Sequence, residues 1–210
     1  MFRNIIWDLD GTLFDTYPAI TESFRAALTD LGKDVPLDWI ESLAKKSVGF
    51  CETTLARHYS LSEEEIDQKF VEHYDLVEPE RQLPFPGVTK LCEYICSIDG
   101  KNVIVTHRRQ VGTTRLLTVH QLAGYFAGSV TQDDGYPKKP DPAAFEAVIE
   151  KYNLKRVETL AIGDRDIDVL AGQAAGVFTC LFGENIEGVN ADLTINNFYE
   201  LHRYILAANH

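Results

Sequence analysis

The chain contains no apolar run approaching the roughly 18 residues that a membrane-spanning helix requires, and no basic-then-apolar leader opens it. It also lacks positive charge. Lys and Arg number 20 against 32 Asp and Glu, for a net charge of -12. That deficit argues against unaided binding to a nucleic-acid backbone or an anionic membrane, both of which need a basic face. Small anionic substrates stay open, because a bound metal can reverse the local field. Cysteine is sparse: four residues, none in a Cys-x-x-Cys pair. Cys92 and Cys96 fall four apart on a predicted helix and read as core or groove residues, not ligands. Their scatter suits a reducing compartment, so a soluble, cytoplasmic protein is the expectation. There are no internal repeats and no low-complexity tracts, and nothing in the spacing specifies an oligomeric state.

What remains is a globular composition. Of 210 residues, 45% are hydrophobic, enough for one large domain or a domain with a small insert. The apolar run Ile5–Trp7 reads as a buried parallel strand. From Asp15 the period changes to 3.6. Ile20, Phe24, Ala27, Leu28 and Leu31 share a helical face, and Gly32 stops it. Short helices follow over Pro36 to Ala44 and Phe50 to His58. Ser62 then precedes three glutamates as an N-cap, opening a helix with Ile66, Phe70, Tyr74 and Val77. Beyond Pro84 the pattern alternates strand and helix. Strands are predicted at Asn102 to Val105, Phe126 to Val130 (weakly), Thr159 to Ile162, Val177 to Leu181 and Leu193 to Ile195. Helices are predicted at Val88 to Ile98, Gln110 to Gln121, after a first-turn Pro142, after Asp164, and at Phe198 to Leu206. The reading is α/β: a Rossmann-like parallel sheet with helices on both faces, and a small all-helical cap inserted after the first strand. The core takes residues 1–14 and 85–210, and the cap takes 15–84.

The strand ends carry the chemistry. Asp8 and Asp10 end the first strand, followed at once by Gly11 and Thr12. Thr106 ends another strand, and Asp164 ends a third with Asp168 one helical turn on. In a parallel sheet such ends converge on one rim. Lys139, in Lys139-Pro140-Asp141-Pro142, adds a cation just before a helix. Clustered carboxylates suit a hard divalent ion, and that ion with a lysine suits a phosphoryl group. One carboxylate is then left as a nucleophile. Each residue also has a plainer reading. Asp8 and Asp10 would serve an Asp-Gly turn, Thr106 a satisfied strand-end hydroxyl, and Lys139 a solvated loop lysine with Lys138 as its rival. Asp166 reads as a solvent-facing helix-start acid, and Arg165 either meets substrate or braces a loop.

Taken together, these segments resemble the haloacid dehalogenase-like hydrolase superfamily. Asp8-Leu9-Asp10-Gly11-Thr12 resembles its first motif, Val103-Ile104-Val105-Thr106 its second and Lys139-Pro140-Asp141-Pro142 its third. Gly163-Asp164-Arg165-Asp166-Ile167-Asp168 resembles its fourth. The resemblance implies that Asp8 is the nucleophile and a Mg2+ ligand. Asp10 is the general acid and then the base, with its carbonyl on the metal. Thr106 and Lys139 hold phosphate oxygens, and Asp164 completes the metal site. Asp168 supports that site, Thr12 has a structural part, and Gly11 with the amides of Leu9 and Asp10 offers backbone donors to phosphate. It further implies Mg2+-dependent hydrolysis of a small phosphorylated metabolite through an aspartyl phosphate, as in phosphoglycolate, sugar-phosphate or nucleotide phosphatases. Alternatives are a phosphomutase of the beta-phosphoglucomutase kind and, from another class, a non-catalytic binding protein on the same fold. Dehalogenation is disfavoured, because it does not need the acid at Asp10.

The cap is expected to carry substrate-reading groups around Lys45, Lys46, Ser47, Val48, Gly49 and Phe50, or else Lys45 and Lys46 form a solvated helix end. The second motif departs from the commonest pattern. An asparagine often follows the threonine, whereas here His107 does, with Arg108 and Arg109 behind it. His107 is expected near the phosphate rim, either replacing the asparagine's hydrogen bonds or meeting substrate with a charge that depends on pH. His107 and Arg108 are thus candidate substrate-binding residues.

Overall fold

The computed structural model describes residues 1–209. By contact the chain divides into two compact units, Met1–Phe14 with the chain from Pro84 onward, and Asp15–Leu83.

The first unit is built on a six-stranded, wholly parallel sheet: β1 (Asn4–Trp7), β2 (Lys101–Val105), β3 (Phe126–Val130), β4 (Thr159–Gly163), β5 (Phe178–Phe182) and β6 (Leu193–Ile195). Their order is β3-β2-β1-β4-β5-β6. Strand alternation sends Ile5 and Trp7 to one face, where they pack with α5 (Val88–Ser97), α6 (Gln110–Val119) and α9 (Phe198–Asn209). Ile6 goes to the other, with α7 (Ala143–Lys151) and α8 (Asp166–Ala174). A sheet covered on both faces explains why β1 reads as an unbroken apolar run. Asn102, polar but fully buried, is satisfied there. Its Oδ1 accepts from Trp7 Nε1 at 3.0 Å and its Nδ2 donates to the carbonyls of Cys92 and Tyr125.

Several bounds differ from the sequence expectation for local reasons. Gln121 adopts φ +57°, so α6 stops at Val119 instead of running to Gln121. Pro142 is the N-cap of α7, one place before the first turn. β3 reads weakly because several of its residues are only partly buried.

The second unit comprises α1 (Tyr17–Asp30), α2 (Leu37–Ala44), α3 (Val48–Tyr59) and α4 (Glu63–Tyr74) around its own core of Ile20, Phe24, Leu28, Ile40, Leu55, Ile66 and Phe70. Phe24 and Phe70 stack with centroids 4.1 Å apart. Ser62 caps α4 in a reciprocal box with Glu65. This helical cap is inserted between β1 and the rest of the parallel core.

Candidate active site

The strand order places β1 between β2 and β4, where the sheet's winding reverses, and an open α/β sheet forms its crevice beyond the carboxyl ends of such strands. Asp8 continues the β1–β4 ladder by donating its amide to Ile162 O at 2.9 Å, and Thr106 continues β2–β3 by donating to Val130 O at 3.0 Å. Both side chains are therefore fixed by sheet backbone. After Asp8 the chain turns back on itself. Gly11 adopts φ +79°, and the amide of Phe14 donates to Leu9 O. The Gly11 amide donates to Phe14 O at 2.9 Å. It belongs to this turn, and so is not the open phosphate donor expected from the sequence.

At the centre lies a buried ion triplet. Lys139 Nζ stands 2.5 Å from Asp8 Oδ1 and 2.6 Å from Asp168 Oδ1. Lys138 is exposed and Lys139 is buried, so Lys139 is the lysine that the loop delivers to the carboxylates. Burial pushes the Asp8 carboxyl up to about 6, and neighbouring Lys139 only partly offsets this. Burial acts the same way on Asp168, but the charges of Lys139 and Arg165 and their hydrogen bonds overcome it and leave Asp168 below its ordinary range. The Lys139 ammonium is held above its usual value, because Asp168 and Asp8 outweigh its own burial. Asp168 is pressed against the end of β4, where only glycine fits. A Cβ on Gly163 would lie 2.2 Å from the Asp168 Cβ.

One carboxylate oxygen in each of Asp8, Asp164 and Asp168 lies within 4.8 Å of the others. Asp8 Oδ2 is buried and has no hydrogen-bond partner among the described residues, which is the state of an oxygen suited to a cation. Both Asp168 oxygens are engaged, one by Lys139 and the other by the Arg165 amide at 3.2 Å. Asp164 Oδ1 accepts from the buried Thr12 hydroxyl at 3.2 Å, which gives Thr12 its part in the site. An all-oxygen donor set of this kind fits a hard divalent ion, with Asp8 and Asp164 as side-chain ligands and Asp168 orienting Lys139. The Asp10 carboxylate is not in this cluster.

The β2 end holds the remaining candidates. Thr106 Oγ1 accepts from the Arg108 amide at 3.1 Å and keeps its own proton to donate. His107 Nε2 accepts from the Lys139 amide at 3.0 Å. It thereby fixes the loop that carries Lys139, an orienting role of the kind left open for it. Burial, then the charges of Lys139 and Arg165, push the imidazole down to about 4. Arg165 Nε lies 3.8 Å from Asp168 Oδ2, and Asp166 is exposed at the start of α8.

Arg108 makes a contact the sequence did not reveal. Its Nε lies 3.2 Å from each Asp10 carboxylate oxygen, and its Nη2 also bonds Oδ1. Nothing in the run His107-Arg108-Arg109 marks which arginine turns inward. The choice is made by the turn after Thr106, which leaves Arg109 as the exposed N-cap of α6. The cap candidates lie on the second unit. Ser47 caps α3 by accepting from Phe50 N at 2.9 Å. Lys46 Nζ lies 4.8 Å from the ring centroid of the exposed Phe50, beside Val48 and Gly49 in the same first turn. Lys45 pairs with Glu41 at 2.7 Å.

The chain is similar to known proteins over most of its length. A family model described as haloacid dehalogenase-like hydrolase matches residues 5–182. The chain is 30% identical over 220 residues to a phosphoglycolate phosphatase of Photobacterium profundum, covering 94% of this chain and 93% of that protein. It is 27% identical over 220 residues to a phosphoglycolate phosphatase of Psychrobacter arcticus, covering 97% and 96%. Among solved structures, a hydrolase from Streptococcus pneumoniae superposes with a TM-score of 0.68 at 31% identity, covering 97% of this chain and 98% of that one.

Proposed function

Because the chain belongs to the haloacid dehalogenase-like hydrolase family, we propose that it is a Mg2+-dependent phosphatase of 2-phosphoglycolate or a closely similar phosphomonoester. It is an enzyme of the phosphatase branch that acts on a small phosphorylated metabolite. The observation that carries the reading is the buried Lys139 shared by Asp8 and Asp168, beside an Asp8 Oδ2 that has no hydrogen-bond partner among the described residues. The names of the curated relatives supply the substrate.

Asp8 is the nucleophile. One of its carboxylate oxygens bonds to phosphorus as the bond from phosphorus to the ester oxygen breaks, giving an aspartyl phosphate. Asp10, once it has taken a proton from solvent, gives it to the departing ester oxygen. Asp10 then takes a proton from water as the water oxygen attacks phosphorus. The bond between phosphorus and Asp8 breaks, releasing inorganic phosphate and restoring the carboxylate. Lys139 holds Asp8 in place, and with Thr106 it faces the oxygens of the transferring group. Asp8, Asp164 and the Asp10 carbonyl would hold a hard divalent ion, which would supply positive charge to the transferring group. Asp168 keeps Lys139 aimed into the site.

Phosphate release from a panel of phosphomonoesters tests this, with Mg2+ and with excess EDTA, beside an Asp8→Asn control. Release that needs both the ion and Asp8, with phosphoglycolate ranked first, is the expected result. Asp8-independent release, or none from folded protein, contradicts it.

A further inference from the structure

The ion pair between Arg108 and Asp10 has a consequence for the substrate. The Arg108 side chain is only 12% exposed and that of Asp10 25% exposed. A guanidinium this enclosed is costly without an anion in contact with it. Its backbone is fixed on both sides. The Arg108 amide donates to Thr106 Oγ1, and its carbonyl accepts from Gln132 N at 3.1 Å. The stem then runs beside Gly112 on α6, where an added Cβ would stand 3.4 Å from the Arg108 Cδ. The anchor is rigid and the tip ends in a planar fork, which is the geometry that binds a carboxylate through two parallel hydrogen bonds.

Asp10 stands at the leaving-group oxygen under the function proposed above, and this inference rests on that reading. A glycolate leaving group carries its carboxylate one methylene from that oxygen. The substrate's carboxylate therefore arrives beside the guanidinium that holds Asp10. We propose that Arg108 is a specificity-determining residue that moves its fork from the Asp10 carboxylate to the carboxylate of the leaving group. Substrates without that carboxylate leave Arg108 on Asp10 and are turned over less well.

The test compares kcat and KM for 2-phosphoglycolate and for its neutral analogue 2-hydroxyethyl phosphate, in wild type, Arg108→Lys and Arg108→Gln, with p-nitrophenyl phosphate and Asp8→Asn as controls. The expected result is that the wild-type preference for phosphoglycolate, as a ratio of kcat/KM, shrinks in Arg108→Gln. The loss of one charge-assisted contact makes this roughly 10- to 150-fold, mainly through KM. Arg108→Lys lies between, since an ammonium keeps charge but loses the fork. An equal loss on both esters overturns the proposal and leaves Arg108 as a positioning residue for Asp10. A wild-type enzyme indifferent to the carboxylate overturns it too. Asp8-dependent release from p-nitrophenyl phosphate with none from phosphoglycolate overturns it while the phosphatase reading stands. Absence of Asp8-dependent release from every ester brings down that reading itself.

Discussion

Lys139 and Asp8 form a buried ion pair, 2.5 Å from Nζ to Oδ1, with side chains that are 0% and 2% exposed. Asp168 completes it from the other side at 2.6 Å. One ammonium thus sits between two buried carboxylates, and the triplet holds one negative charge more than it balances. Burial, and after it the charge of Asp168, raises the Asp8 carboxyl in spite of Lys139 and Arg165.

Removing the cation leaves two carboxylates facing each other out of water. Lys139→Met is expected to lose about 3–5 kcal/mol of stability, the usual cost of breaking a buried pair, and to abolish phosphate release. Urea denaturation of the metal-free proteins checks the first part. A variant as stable as wild type contradicts the assignment of Lys139 as the charge that holds Asp8 and Asp168 together.

Removing the surplus carboxylate has the opposite sign. The folded-state value of Asp8, about 6, lies above its ordinary 3.8, so between these values the folded protein holds a proton that the unfolded chain has released. Asp8 therefore costs stability as pH rises through this window, and the full cost is present at pH 7. Asp8→Asn is expected to melt higher than wild type in EDTA at pH 7, with the gap closing as pH falls towards 5. The opposite dependence of His107, whose folded value lies below its ordinary 6.5, cancels in this comparison. A variant that melts lower at pH 7 sinks the argument.

Divalent-ion binding is tied to the same proton. An ion on Asp8 must displace it, so affinity is expected to fall about tenfold per pH unit below roughly 6. Mg2+ should raise the melting temperature of wild type at pH 7, much less at pH 5, and not at all in Asp8→Asn. Thermal melts across an ion titration measure this, and equal shifts at both pH values count against Asp8 as a ligand.

Gly163 is held to glycine by Asp168. Gly163→Ala forces a Cβ to within 2.2 Å of another Cβ and should cost about 3 kcal/mol or more, or fail to fold. Gly124→Ala, with nothing within 4 Å of the added atom, is the control and should change little. Parallel denaturation curves that coincide would remove the packing argument for β4 and α8.

The architecture was readable because its elements are locally consistent. Ile5–Trp7, Ile104 and Ile162 mark strands buried on both faces, and Ser62 with Glu65 marks a helix start by a reciprocal cap. The rim was readable because Asp8, Thr106 and Asp164 each follow a strand directly. What stayed hidden depends on how turns fold. The choice between Lys138 and Lys139 is made by the path of the loop after β3. The tie of Arg108 to Asp10 is set by the turn after Thr106. The lowered pKa of His107 follows from burial and from the charges of Lys139 and Arg165, neither of which lies beside it in sequence. The Gly11 amide was expected to face phosphate, but the tight turn to Phe14 claims it.

Passage of phosphate through Asp8 is read from the mass of the Asp8-containing peptide after acid quench. Asp10→Asn should be used with phosphoglycolate and Mg2+, since loss of the base slows release of the intermediate. The expected result is a single phosphate adduct on Asp8, absent in EDTA and in Asp8→Asn. Phosphate release by the wild type with no adduct on Asp8 in any quench, or an adduct on another residue, would contradict it.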